Sequence, residues 1–311
     1  VTFQMQFKKP QFWDKKFSVW KYILLPFSFI YFLLSKINFK KKHTVTNIFS
    51  ICVGNIYIGG TGKTSLALEI NKILKKKNKT VFIKKSYKNH YDEIKLLTQK
   101  GKVISNKSRI KSLKIAEKKK FEIALLDDGL QQKNIKYDLK IACFNSENGI
   151  GNGFLLPAGP LRESINELKN YDIVFLNGEI KNTNLYKKIK TINKNLKIFE
   201  AIYEPKNLIN LDRNKNYLMF CGIGNPNEFE NTLKKYKFKV KKKYIFPDHY
   251  SISSSEITNI KKIAKKENLN IITTEKDYLR LKNNYKKNIK FLKIQLKIKK
   301  PNELKKILNL I

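Results

Sequence analysis

From Val53 to Ile70 the chain reads VGNIYIGGTGKTSLALEI, an apolar run that breaks at glycines, a lysine and a threonine and then turns helical. Those residue types in that order suit a phosphate. Gly59, Gly60 and Gly62 let backbone N–H groups converge on phosphate oxygens where a side chain would clash. A helix starting at Lys63 adds the positive end of its dipole. Lys63 can reach the β- and γ-phosphates of ATP, and the Thr64 hydroxyl can ligate Mg²⁺. The usual spacing asks for a glycine five residues before Gly62, where this chain has Tyr57. The expected nucleotide contacts are Tyr57, Ile58, Gly59, Gly60, Thr61, Gly62, Lys63 and Thr64.

A magnesium ion beside that loop needs a carboxylate. FEIALLDD, Phe121 to Asp128, reads as a strand closing on two of them, Asp127 and Asp128, placed as a Walker-B acid would be. Adjacent residues leaving a strand point to opposite sides, so one is expected on the metal and the other on water or substrate. A GTPase would carry Asp-x-x-Gly here, but the residue three before Gly129 is Leu126. A guanine-reading Asn/Thr-Lys-x-Asp is also missing, since TEKD (Thr274 to Asp277) has its lysine one place late.

Positioning such a loop takes a strand before it and a helix after it. IFSICVG supplies the first and Thr64 to Lys76 the second. TVFIKK (Thr80 to Lys85), FEIALLDD, LKIACF and YDIVFL read as further strands, with a basic helix from Ser108 to Lys119. The alternation implies an α/β fold, a P-loop NTPase-like parallel sheet covered by helices. A second block begins near Pro205: NYLMFCGIGNPNEFENTLKKY reads strand, glycine turn and helix, followed by strand KVKKKYIF, helix Ser253 to Lys266 and strand NIITTEKD. The expected organisation is an N-terminal segment 1–37, a phosphate-binding domain 38–204 and a smaller C-terminal α/β domain 205–311.

The formal charge of +40 rests on lysine, with only four arginines, Arg109, Arg162, Arg213 and Arg280. Lysines spread along the whole chain favour anionic partners without naming one. Cys52, Cys143 and Cys221 lie far apart, without metal-ligand spacing, as in a reducing compartment. Phe17 to Ile37 is apolar and aromatic between lysine clusters, and its uncharged run Tyr22–Ser35 falls short of the ~20 residues a spanning helix needs. No small-residue cleavage site follows it, so a membrane-associating interfacial helix is expected rather than a signal peptide.

Six segments in one order resemble the tetraacyldisaccharide 4'-kinase family, the lipid A 4'-kinases of Gram-negative bacteria. They are VGNIYIGGTGKT, LDDGLQ, GNGFLLPAGPLRE (Gly151 to Glu163), CGIGNPNEF, FPDHY and TTEKD. The family's glycine loop also lacks the first Walker glycine, which accounts for Tyr57; Leu130 stands where the family has an aromatic. The resemblance covers essentially the whole chain. It implies transfer of the γ-phosphate of Mg-ATP to the 4'-hydroxyl of a tetraacylated disaccharide 1-phosphate at the cytoplasmic face of the inner membrane. It implies that Arg162 and Glu163 reach the reaction centre, with Glu163 at the metal, and that Tyr87 of the Ser-Arg-Gly-Tyr-like KSYK stacks near nucleotide. It also implies an acceptor base built from His249 of FPDHY and Asp92 of NHYDEIKLL, where Tyr91 replaces a glycine. His43 and His90 have no role in it. A peripheral, monomeric enzyme is expected.

Two other classes compete. The charge suits a nucleic-acid-stimulated P-loop ATPase, but no recognition motif or platform of stacking aromatics is present, so no nucleic-acid partner is expected. The shortened segment before Asp92 suits a catalytically decayed membrane-bound nucleotide-binding scaffold.

Overall fold

The computed structural model describes residues 9–15, 17–37, 46–86, 91–248 and 250–309. Nine α-helices occur among them: α1 (Val19–Ile37), α2 (Lys63–Leu74), α3 (Tyr91–Thr98), α4 (Arg109–Lys118), α5 (Thr183–Ile192), α6 (Pro226–Lys235), α7 (Ser254–Lys266), α8 (Glu275–Arg280) and α9 (Pro301–Leu308). The strands are β1 (Phe49–Gly54), β2 (Thr80–Lys85), β3 (Val103–Asn106), β4 (Ile123–Asp127), β5 (Leu139–Asn145), β6 (Ile173–Asn177), β7 (Lys197–Pro205), β8 (Asn216–Cys221), β9 (Lys239–Ile245), β10 (Asn270–Thr274), β11 (Ile289–Leu292) and β12 (Ile294–Ile298).

Eight strands form one sheet in the order β12-β7-β6-β5-β1-β4-β2-β3, and its members from β7 to β3 are parallel. Continuous apolar runs put β1, β4 and β6 in the middle, buried on both faces. After β1 the chain builds β2, β3 and β4 on one side and then β5 on the other. The loop leaving β1 therefore sits at the point where strand order reverses, where open α/β sheets bind ligands.

The second sheet, β11-β10-β8-β9, is also parallel. Both faces of β8 are covered: Tyr217, Met219 and Cys221 pack with Phe229 and Leu233 of α6, while Leu218 and Phe220 pack with Ile257 and Ile260 of α7. The lysine-rich β9 is the edge, exposed at alternate positions, which discourages pairing with another chain. Ser253 opens α7 with a capping box to Glu256, and Asn225 with Pro226 opens α6.

The larger compact unit spans Lys9–Ser86, Lys100–Tyr203 and the chain from Leu296; the smaller spans α3 and Glu204–Gln295. This differs from a single cut at 204/205 in two places. Helix α3 groups with the smaller unit because α8 holds it, through Lys95 Nζ to the Leu279 carbonyl at 3.4 Å and through ion pairs. The last segment groups with the larger unit because β12 joins its sheet and Lys299 N–H donates to the Glu200 carbonyl.

Helix α1 has 19 residues, about 28 Å at 1.5 Å per residue, close to the ~30 Å hydrocarbon thickness. It is the one helix among the described residues long and apolar enough to cross a membrane by length and composition. The uncharged run understates it, because Lys21 lies inside the helix, buried over the rings of Phe17, Tyr22 and Phe154. Trp20, Tyr22, Ile23, Phe27, Phe29 and Ile30 are exposed.

Candidate active site

The glycine loop joins β1 to α2 as its residues require. Gly59 and Gly62 have φ of +125° and +85°, in the region that favours glycine. A Cβ on Gly62 would lie 2.2 Å from Tyr203 Oη and 2.8 Å from Asn177 Nδ2. Asn177, at the end of β6, donates from that nitrogen to the Thr61 carbonyl at 2.7 Å. Gly62 precedes α2 directly, so the helix begins at Lys63 and its first N–H groups face the loop.

The carboxylate pair lies on the adjacent strand, since β1 and β4 align Val53 with Asp127. Asp127 is fully buried, and its Oδ2 accepts from Thr64 Oγ1 at 2.9 Å and from Lys84 Nζ at 2.8 Å. Asp128 follows with φ of +65°, a left-handed conformation uncommon outside glycine. This turn separates the pair. Asp128 meets Arg162 Nη2 at 3.1 Å and Lys63 Nζ at 4.0 Å. Burial opposes its ionisation, but the charges of Lys63, Arg162 and Lys84 overcome that and hold the carboxyl well below the usual carboxylate range.

The segment carrying Arg162 braces the loop. Ile58 N–H donates to the Pro160 carbonyl at 2.8 Å, Arg162 N–H donates to the Ile56 carbonyl at 2.7 Å, and Tyr57 bridges Leu161. Arg162 Nη2 also donates to the carbonyl of Asn55 at 2.6 Å and to its side-chain oxygen. Tyr57 is buried under this brace, with the Lys9 ammonium over its ring. Glu163 turns elsewhere: Oε1 meets Lys133 Nζ at 3.0 Å, and Oε2 accepts from Tyr171 Oη at 2.7 Å. Burial, with Glu163 beside it, raises the Tyr171 hydroxyl well above its ordinary value, so it stays a neutral donor.

The smaller unit holds a different cluster. Arg280 on α8 donates to Asp92 Oδ2 and to Asp277 Oδ1, each at 2.7 Å, and to the Gly222 carbonyl at 2.6 Å. Asp277 Oδ2 accepts from Thr274 Oγ1 at 2.6 Å and from Gly222 N–H at 3.1 Å. Lys276 meets Glu93 at 3.2 Å. CGIGNP, TTEKD and the Asp92 helix are thus one hydrogen-bonded assembly.

The profile of the tetraacyldisaccharide-1-P 4'-kinase family matches residues 20–99 and 84–311. The chain belongs to that family. It is 52% identical to the tetraacyldisaccharide 4'-kinase of Pelagibacter ubique over 297 residues, 94% of this chain and 95% of that one. It is 35% identical to the enzyme of the same name from Rickettsia canadensis, covering 95% and 94% of the two chains. In fold it matches the crystal structure of "apo" form LpxK from Aquifex aeolicus in complex with ATP, with a TM-score of 0.72 at 24% identity over 93% of this chain and 98% of that one. The protein is an ATP-dependent kinase of lipid A biosynthesis that phosphorylates the 4'-hydroxyl of a tetraacyldisaccharide 1-phosphate.

Among the family motifs, the structure brings Lys63, Thr64, Asp127, Asp128 and Arg162 together in the larger unit. Asp92 belongs to the smaller unit, buried against Arg280. Tyr87 and His249, with His43 and His90, lie outside the described residues. Two residues that the loop's expected contacts omit are Asn55, an acceptor for Arg162, and Lys84.

Proposed function

We propose that phosphoryl transfer takes place at the larger unit's loop, and one observation carries this reading. Lys63, Lys84 and Arg162 converge on Asp127 and Asp128 beside the start of α2, leaving a local excess of positive charge where a triphosphate is expected. Gly59 to Thr64 cradle the phosphates, Lys63 neutralises charge on the β- and γ-phosphates, and Arg162 clamps the transferring group with its planar fork. Ile58 contributes less than its position suggests, because its N–H is engaged by Pro160.

A magnesium ion fits these residues. Asp127 Oδ1 is buried with no hydrogen-bond partner among the described residues, while Oδ2 touches the Thr64 hydroxyl. Asp127 and Thr64 would hold the ion directly and Asp128 would act from beside it. Bound there, magnesium supplies charge neutralisation to the phosphates. Glu163, with Oε2 accepting from Tyr171 and Oε1 3.0 Å from the Lys133 ammonium, steadies the turn that carries Arg162, and its assignment to the metal rests on the family resemblance alone.

On the family resemblance, His249 takes the proton of the acceptor hydroxyl and Asp92 orients it. An imidazole near pKa ~6.5 suits proton transfer at neutral pH. The Arg280-bound carboxylate suits orientation more than proton acceptance. Tyr87 is assigned to nucleotide stacking on the same ground. We read the enzyme as a peripheral monomer on the cytoplasmic face of a Gram-negative inner membrane; the exposed apolar rings of α1 and the lysine-rich composition support the membrane contact.

Purified full-length protein, labelled ATP and tetraacyldisaccharide 1-phosphate test the centre. Lys63→Ala is expected to lower transfer by about a hundredfold or more with the melting temperature little changed. Transfer that survives this substitution would refute the reading.

A further inference from the structure

Lys84 adds to the positive charge of the centre, but charge alone does not explain where it sits. It is the penultimate residue of β2, 4% exposed, on the strand beside β4, where the register places Ile83 next to Leu126. The same register brings its ammonium to 2.8 Å from Asp127 Oδ2. Taking an ammonium out of water is costly, and an aliphatic side chain would fill this buried position without that cost. The oxygen it binds is the one that also accepts from Thr64, so two donors converge on Oδ2 and Oδ1 is left over.

We propose that Lys84 is a positioning residue for phosphoryl transfer: it fixes the Asp127 carboxylate through Oδ2 so that Oδ1 alone is presented to the divalent cation, and its charge weakens that cation's binding. The inference rests on the centre proposed above. Two effects follow. Fixing the carboxylate favours a single metal geometry, and so a faster chemical step. A neighbouring positive charge repels the ion, which keeps binding loose and exchange rapid. A merely structural ion pair would affect stability and leave both quantities alone.

The test uses the full-length chain, Mn²⁺ as the probe ion and a non-hydrolysable ATP analogue. Mn²⁺ affinity is read from its electron paramagnetic resonance signal, and kcat at saturating Mg²⁺ is measured separately. In Lys84→Met, Mn²⁺ is expected to bind about tenfold more tightly while kcat falls about tenfold and the KM for ATP shifts less than threefold. Lys84→Arg, which keeps the charge, should hold Mn²⁺ affinity within about threefold of the parent. Lys84→Gln is measured alongside as a second neutral variant, so the result does not hang on the folding of the methionine variant. Parent-like Mn²⁺ affinity and kcat in a folded neutral variant would overturn the proposal. Failure of the parent protein itself to bind Mn²⁺ with the nucleotide would instead overturn the metal site, and the inference with it.

Discussion

The larger unit gathers two carboxylates where β4 ends, and the smaller gathers Asp277 of α8 and Asp92 of α3 beside the Gly222 turn, yet the two clusters carry opposite balances of charge. In the larger unit Lys63, Lys84 and Arg162 surround Asp127 and Asp128. In the smaller, Arg280 is shared between Asp92 and Asp277. The titration of the acids follows that balance. Burial opposes ionisation in both, but three cations hold Asp128 below its ordinary range, whereas burial outweighs Arg280 and its other partners and leaves Asp277 raised. A cationic surplus is what a site needs to receive a polyanion. A cluster in which one cation is shared by two carboxylates has no surplus to offer an anion, and its hydrogen bonds tie α3, the Gly222 turn and α8 together.

The largest effect expected from this contrast is structural. Arg280→Met leaves Asp92 and Asp277 buried without their shared cation and should cost about 3–5 kcal/mol in urea unfolding, the size seen when one member of a buried pair is removed. A loss below about 1 kcal/mol would mean that water reaches the cluster and that it is no closed lock. Arg162→Lys sharpens the other side. It keeps the charge but loses the fork that spans Asp128 and Asn55, so stability should hold while transfer falls by about a hundredfold. Equal activity would show that charge alone matters at that position.

Between these lies Asp277→Asn. It leaves the Arg280–Asp92 pair intact and an amide oxygen still able to accept from Thr274 or Gly222, so the expected cost is about 1–2 kcal/mol. A cost matching that of Arg280→Met would make Asp277, and not the arginine, the centre of the cluster.

The phosphate loop was legible in the sequence because it is local: strand, glycines, lysine and helix are contiguous, and Gly62, Lys63 and Thr64 need no distant information. So were β1, β4 and β8, whose apolar runs are long enough to mark buried strands. Lys84 was not, because its partner is 43 residues away and is met only through the β2–β4 register. Asn55 and Arg162 are 107 apart and meet because the Pro160–Arg162 segment folds over the loop. The grouping of α3 with the smaller unit was hidden for the same reason, since Asp92 and Arg280 are 188 apart. The family motif at Glu163 implies a metal ligand; that its side chain faces Lys133 and Tyr171 was hidden, because motifs record which residues recur and not which partner each side chain faces.

The smallest effect is a difference in pH response between the clusters. Asp128 has a lowered pKa when folded, so its contribution is present above the unfolded carboxylate value of ~3.9 and is lost only as pH falls through the still lower folded value. Asp277 has a raised pKa, so its contribution is full below the unfolded value and is lost as pH rises through the folded one. Between pH 7 and 4, hydrogen exchange corrected for intrinsic rates should show protection around β10 and α8 rising as Asp277 takes up its proton. Protection around β4 should not decline from Asp128 until the pH drops below about 4. The rise near α8 should vanish in Asp277→Asn, which cannot titrate. If it persists in that variant, the proton goes elsewhere and the contrast between the two clusters is one of charge count alone, without a difference in how their acids ionise.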